Sequence, residues 1–114
     1  MYALSVKEPW LSMIVNGTKT IETRTWKLSN AFLNKDVLLI GCKNPKGPFS
    51  SKMACIVTVT ECRTMKNRDV SKACCPVYPG AISWILADVR KVNPVRIKGA
   101  LGLYQVDDKL ISLI

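Results

Sequence analysis

Lys19, Glu22 and Arg24 place an amine, a carboxylate and a guanidinium in close succession within the segment KTIETRTW, residues 19–26. In an extended strand, residues two apart share a face. Thr20, Glu22, Arg24 and Trp26 are therefore expected to point one way, and Ile21, Thr23 and Thr25 the other. A core-facing wall would carry aliphatic side chains, so a polar face has two readings. It forms a solvent-facing Glu22–Arg24 ion pair, worth under about 1 kcal/mol, or it lines a ligand cleft. Spacing leaves both open. In a concave setting the chemistry suits nucleic acid: arginine gives a planar fork of donors for phosphate or a base edge, and tryptophan gives a stacking surface. A glutamate accepts hydrogen bonds from an exocyclic base amine. A lysine serves as general base or nucleophile when its amine is held neutral, which a nearby cation favours and a nearby carboxylate opposes.

Other chemistries are excluded or weak. The chain has no histidine, which removes Ser-His-Asp, Cys-His and every imidazole-based proton transfer. No phosphate-binding G-x-x-x-x-G-K-[ST] loop and no G-x-G-x-x-G turn is present. Cys42, Cys55, Cys62, Cys74 and Cys75 contain no C-x-x-C pair. Without histidine they make a poor zinc set, and four of the five, in or beside apolar stretches, read as buried packing thiols of a reducing compartment. Adjacent Cys74 and Cys75 leave a redox role open. No metal or cofactor is expected.

Seventeen Lys and Arg against eight Asp and Glu give a formal charge of +9, a bias toward polyanionic partners or simply toward solubility. The 114 residues, 48% hydrophobic and 22% charged, suit one globular domain over residues 1–114, with monomer favoured. A domain this size buries roughly two-thirds of its unfolded surface. No apolar run reaches the roughly 20 residues of a membrane helix, and MYALSVKEPW lacks the pattern of a signal peptide. A soluble cytoplasmic protein is the expectation.

The elements that must hold the polar segment follow from periodicity. Residues 2–6 alternate as a strand. Glu8 and Pro9 open a short helix in which Trp10, Met13, Ile14 and Gly17 fall on one face, and Asn16-Gly17 stops it. β-Branched Thr18, Thr20, Ile21, Thr23 and Thr25 favour a strand over residues 18–26. Strands are also expected over 36–43, 53–62, 82–92 and 100–106, with a helical turn within 68–75 and a turn at Tyr78-Pro79-Gly80. The loop 44–52, NPKGPFSSK, is expected to be exposed and mobile, with Lys46 and Lys52 as candidate phosphate contacts. Five to six strands with one or two short helices suggest a mostly β (α+β) fold, a small antiparallel or mixed β-barrel.

LSVKEPW followed by G-x-K-T-I-E-T-R-T-W resembles the hallmark of the ASCH domain family within the PUA-like superfamily. Its G-x-K-x-x-[ET]-x-R core stands here as Gly17, Lys19, Glu22 and Arg24. VLLIGCK and ACIVTVTEC resemble later strands of the family, and AISWILADVRKVNPVRIKGALGLYQV resembles the tail of small bacterial and phage-type members. The likeness runs from about Ala3 to Val106. It implies a PUA-like barrel with a cleft that binds RNA or a modified nucleoside. Ser5, Lys7, Trp10, Lys19, Glu22, Arg24, Lys43 and Trp84 are the ligand-binding candidates, with Tyr104 a further aromatic. Some members resembling this family hydrolyse the acetyl amide of a modified cytidine with a lysine, a threonine and a glutamate, and others cleave RNA. Lys19 matches that lysine, and Glu22 stands in the threonine's place. The resemblance thus implies recognition first, and as the alternative an amidohydrolase or ribonuclease with Lys19, Glu22 and Arg24 as catalytic groups.

Overall fold

A computed structural model describes residues 1–114. Six strands form one mixed sheet: β1 (Tyr2–Val6), β2 (Ile21–Arg24), β3 (Asp36–Gly41), β4 (Met53–Thr64), β5 (Ile82–Lys91) and β6 (Leu103–Gln105). Their spatial order is β2-β5-β4-β3-β1-β6. β1 and β3 run parallel and every other pair is antiparallel. Helix α1 (Trp10–Val15) lies in the connection between the two parallel strands, and the short α2 (Val70–Ala73) follows β4.

The long strand β4 curls the sheet. Its register slips once against β3, at Leu39/Ile40, and twice against β5, at Ile56/Thr58 and Val59/Glu61. Each slip bends and over-twists its strand. The result is a six-stranded half-barrel whose far edge, β2, swings back toward β1. There Arg24 Nη2 donates to the Ser5 carbonyl at 2.7 Å, joining strands that no backbone ladder connects.

Side-chain alternation divides the core. Leu4, Val6, Val37 and Leu39 pack inward with Leu11 and Ile14 of α1 and with Trp84. Ala3, Leu38 and Ile40 face the other way, onto Met53, Ile56, Val92 and Val106. Coverage on both faces explains why DVLLIG is a continuous apolar run rather than an alternating one. A third cluster, Ile21, Met65, Ala73 and Ala81, packs α2 against β2.

Several element bounds differ from the sequence expectation. β2 covers residues 21–24 rather than 18–26, because Lys19 N donates to the Met13 carbonyl and Thr20 N to that of Lys72, outside the β2–β5 ladder. β6 is three residues long instead of seven. β4 runs on to Thr64 because Arg63 and Thr64 still pair with Ser83 and Ile82. Arg63 grips Asp69 with two bonds of 2.6 and 2.9 Å, and Ser83 Oγ and Lys66 N donate to the same buried carboxylate. Arg63 foremost holds the Asp69 carboxyl well below the usual carboxylate range.

The loop 44–52 is tethered rather than loose. Buried Glu8 accepts from Ser12 N, Ser12 Oγ and Phe49 N, tying the loop to the start of α1. Phe49 packs against the main core cluster, and Gly47 is closed over Glu8, where an added Cβ would stand 2.5 Å from Glu8 Cγ. No helix is long and apolar enough to cross a membrane.

Candidate functional site

Where β2 approaches β1, a cavity of about 550 Å³ opens, within the roughly 300–1,000 Å³ of small-molecule sites. β1 and the turn after it supply Ser5, Val6 and Lys7, and α1 supplies Trp10. Lys19, Glu22, Thr23 and Arg24 form the opposite wall. Cys42, Cys75, Tyr78 and residues 100–102 complete the lining.

The polar wall is an ordered chain of charges. Glu22 Oε2 accepts from Arg24 Nε at 3.1 Å and Nη2 at 2.9 Å, while Oε1 accepts from Thr23 N at 3.2 Å and faces Lys19 Nζ at 3.6 Å. Lys19 is only 2% exposed, and its Nζ donates to the carbonyl of Ala73 at the end of α2. An unpaired cation at that depth would be expensive, so the carboxylate between the two cations is what allows the lysine to stay there. The three groups sum to one positive charge. Both carboxylate oxygens are occupied by neighbours, whereas Arg24 Nη1 makes no bond within the chain and is not buried. Toward a ligand this wall therefore offers donors, and Glu22 orients them.

Of the sequence-derived candidates, Ser5, Lys7, Trp10, Lys19, Glu22 and Arg24 lie around this one cavity. Lys43 does not: it lines an adjoining cavity. Trp84, proposed as a stacking residue, is 0% exposed and sits in the core. Its indole Nε1 donates to the Trp26 carbonyl at 3.0 Å, and its ring meets Trp26 edge-on at 4.9 Å between centroids. No base can reach it without unpacking the core. Trp10, 38% exposed, and half-buried Tyr78 are the aromatic side chains that line the cavity. Tyr104 Oη bonds Ser5 Oγ at 2.8 Å.

The expected face of Thr20, Glu22, Arg24 and Trp26 is only half present. Thr20 and Trp26 lie outside the strand, and Thr23 lines the cavity as well. β2 is an edge strand, and the segment after α2 wraps its other side, bringing Cys75 Sγ to 3.7 Å from Thr23 Oγ1. Thr23, Cys42, Cys75, Tyr78 and Leu101 were not singled out for this cleft from the sequence. They come from distant segments, and nothing in their local pattern marks them. No three His, Cys, Asp or Glu side chains converge as a metal-holding group.

A family model described as the ASCH domain matches residues 4–96. The chain belongs to the ASCH domain family. Among solved structures it is similar to the ASCH protein of Zymomonas mobilis, at 15% identity and a TM-score of 0.76 over 97% of this chain and 95% of that one. A Ser-to-Ala variant of the same protein aligns at 14% identity and TM-score 0.75, covering 97% and 96%. A Tyr-to-Phe variant aligns at 13% and 0.72, covering 97% and 98%. These likenesses establish the fold: the curled mixed sheet with two short helices is the ASCH, PUA-like half-barrel. A search among curated proteins returned no match.

Proposed function

We propose that this ASCH domain binds RNA or a nucleoside-like ligand, modified nucleosides included, with a base in the 550 Å³ cavity. The carrying observation is Arg24, whose Nη1 is free while Nε and Nη2 are fixed to Glu22 and to the Ser5 carbonyl. A donor locked this way loses little freedom on binding. Arg24 and Lys19 then address acceptor atoms of a base edge, Trp10 stacks on its face, and Lys7 adds positive charge at the mouth. Glu22 holds the two cations in place rather than reading a base amine.

Binding of short single-stranded RNA and of ribonucleosides to the wild type and to Arg24→Lys tests this. The lysine keeps the charge and loses the fork. Affinity is expected to fall about tenfold, or 1.4 kcal/mol. Equal affinity would remove the reading, and a salt-independent RNA affinity would limit the ligand to a small molecule.

A hydrolase on the same cleft is the second reading, and the presence of Thr23 beside Lys19 and Glu22 in the cavity wall favours it. In it Lys19 is the base or nucleophile, Glu22 its partner, and Arg24 stabilises developing negative charge. Incubation with an acylated cytidine and with RNA decides: turnover lost in Lys19→Ala while binding persists supports the enzyme. Ligand recovered intact supports recognition alone.

A further inference from the structure

A second cavity, of about 430 Å³, opens beside the first and shares Ser5, Cys42, Ala100 and Leu101 with it. The two cavities therefore adjoin at these residues, where Ser5 Oγ donates to the Ala100 carbonyl at 3.3 Å. The two differ in charge. The first holds a carboxylate between its cations, whereas the charged residues lining the second are Lys43 and Lys98, with no acidic residue in the wall. Both lysines are exposed, and neither has an ion-pair partner in the chain. Gly41 and Gly99 also line it; a Cβ on Gly41 would stand 1.8 Å from the Phe49 carbonyl oxygen, and one on Gly99 would stand 2.9 Å from Ser5 Oγ, so neither position has room for a side chain.

The geometry points to the second cavity as a phosphate subsite, which makes the ligand a nucleotide, free or within an RNA strand, rather than a bare nucleoside. This rests on the reading of the first cavity as the base site. With the base against Arg24, its sugar lies over the bonded Ser5–Ala100 pair that both cavities share, and the attached phosphate meets Lys43 and Lys98. Two lysines with no carboxylate partner leave their donors open to that anion, and as mobile point charges they suit phosphate rather than a planar group.

Calorimetric titration of the four ribonucleosides and their 5′- and 3′-monophosphates tests the assignment at low salt. At least one monophosphate is expected to bind about tenfold or more tightly than its nucleoside. The Lys43→Ala/Lys98→Ala double variant is expected to bind the two alike, and Lys109→Ala, a lysine outside both cavities, to keep the preference. Nucleoside binding with a phosphate gain below about twofold would overturn the subsite and leave the base site standing. So would a gain that survives in the double variant. If neither nucleosides nor monophosphates bind, the base site itself fails and the subsite falls with it.

Discussion

Replacing Glu22 by glutamine removes the negative charge that sits between Lys19 and Arg24 and leaves the shape almost intact. Lys19 has a side chain only 1% exposed and Glu22 one 10% exposed, so this pair is buried, while Arg24 at 24% reaches water. Breaking a buried pair from one side costs about 3–5 kcal/mol because the other charge is stranded. The Ala73 carbonyl still holds Nζ, which puts the expected loss at the lower end, about 3 kcal/mol. With an unfolding entropy of about 2.1 cal/mol/K per residue, that corresponds to a fall in Tm of roughly 12 °C for a chain of this length. Lys19→Met strands only the Ala73 carbonyl and should cost about 1–2 kcal/mol. The double variant leaves no buried cation to strand and should be more stable than the sum of the two losses by at least about 1.5 kcal/mol. Urea unfolding of the four proteins at 25 °C measures the cycle. Additive losses, or a Glu22→Gln variant within about 0.5 kcal/mol of the wild type, would refute the claim that Glu22 supports a buried lysine.

Asp69 sets a pH limit: its folded carboxyl is held below the ordinary value by Arg63, so its contribution is full above about pH 5 and is lost as the pH falls through about 4 and below. Asp69→Asn should cost about 2 kcal/mol at pH 7 and flatten the acid limb of a urea-midpoint profile, and an unchanged limb would contradict this. Trp84→Phe should lower stability by about 1–3 kcal/mol through the lost bond to the Trp26 carbonyl and poorer packing. Trp10→Ala should instead leave the unfolding midpoint close to wild type and weaken ligand binding, and the reverse pattern in melts and titrations would exchange their roles. Burial pushes the Cys55 thiol up to about 12, so iodoacetamide at pH 8 should spare it in the native protein. Mass spectrometry should show Cys42 and Cys75 labelled and protected by saturating nucleotide; protection of neither would place the ligand elsewhere.

The fold was legible where one physical signal dominates. VLLIG and MACIV are apolar runs that the structure buries as strands, and Asn16-Gly17 ends α1, with Gly17 at φ +88°. Bounds were lost where tertiary contacts decide them. Polar Arg63 stays in a strand because it pairs with Asp69, and Lys19 leaves one because its amide turns to Met13. Strand alternation put Glu22 and Arg24 on one face but Lys19 on the other, and only the resemblance to the G-x-K-x-x-E-x-R core grouped the three; neither signal could say that Lys19 reaches Ala73 or that Glu22 is saturated by its neighbours. Trp84 was misplaced as a stacking group because a buried and an exposed tryptophan look alike in sequence. It sits opposite Glu22 on β5, and its indole proton is spent on Trp26. Thr23, Cys75 and Leu101 reach the cavity only through the curl of the sheet and its covering segments, which no local pattern encodes.

The central claim is that a base sits in the first cavity against Arg24 and Lys19. A crystal structure of the protein soaked with a ribonucleotide tests it most directly. The account predicts a base stacked beside Trp10, with an acceptor atom about 2.7–3.2 Å from Arg24 Nη1 and the phosphate toward Lys43 and Lys98. A nucleotide bound elsewhere on the protein, with this cavity empty at saturating concentration, would contradict it.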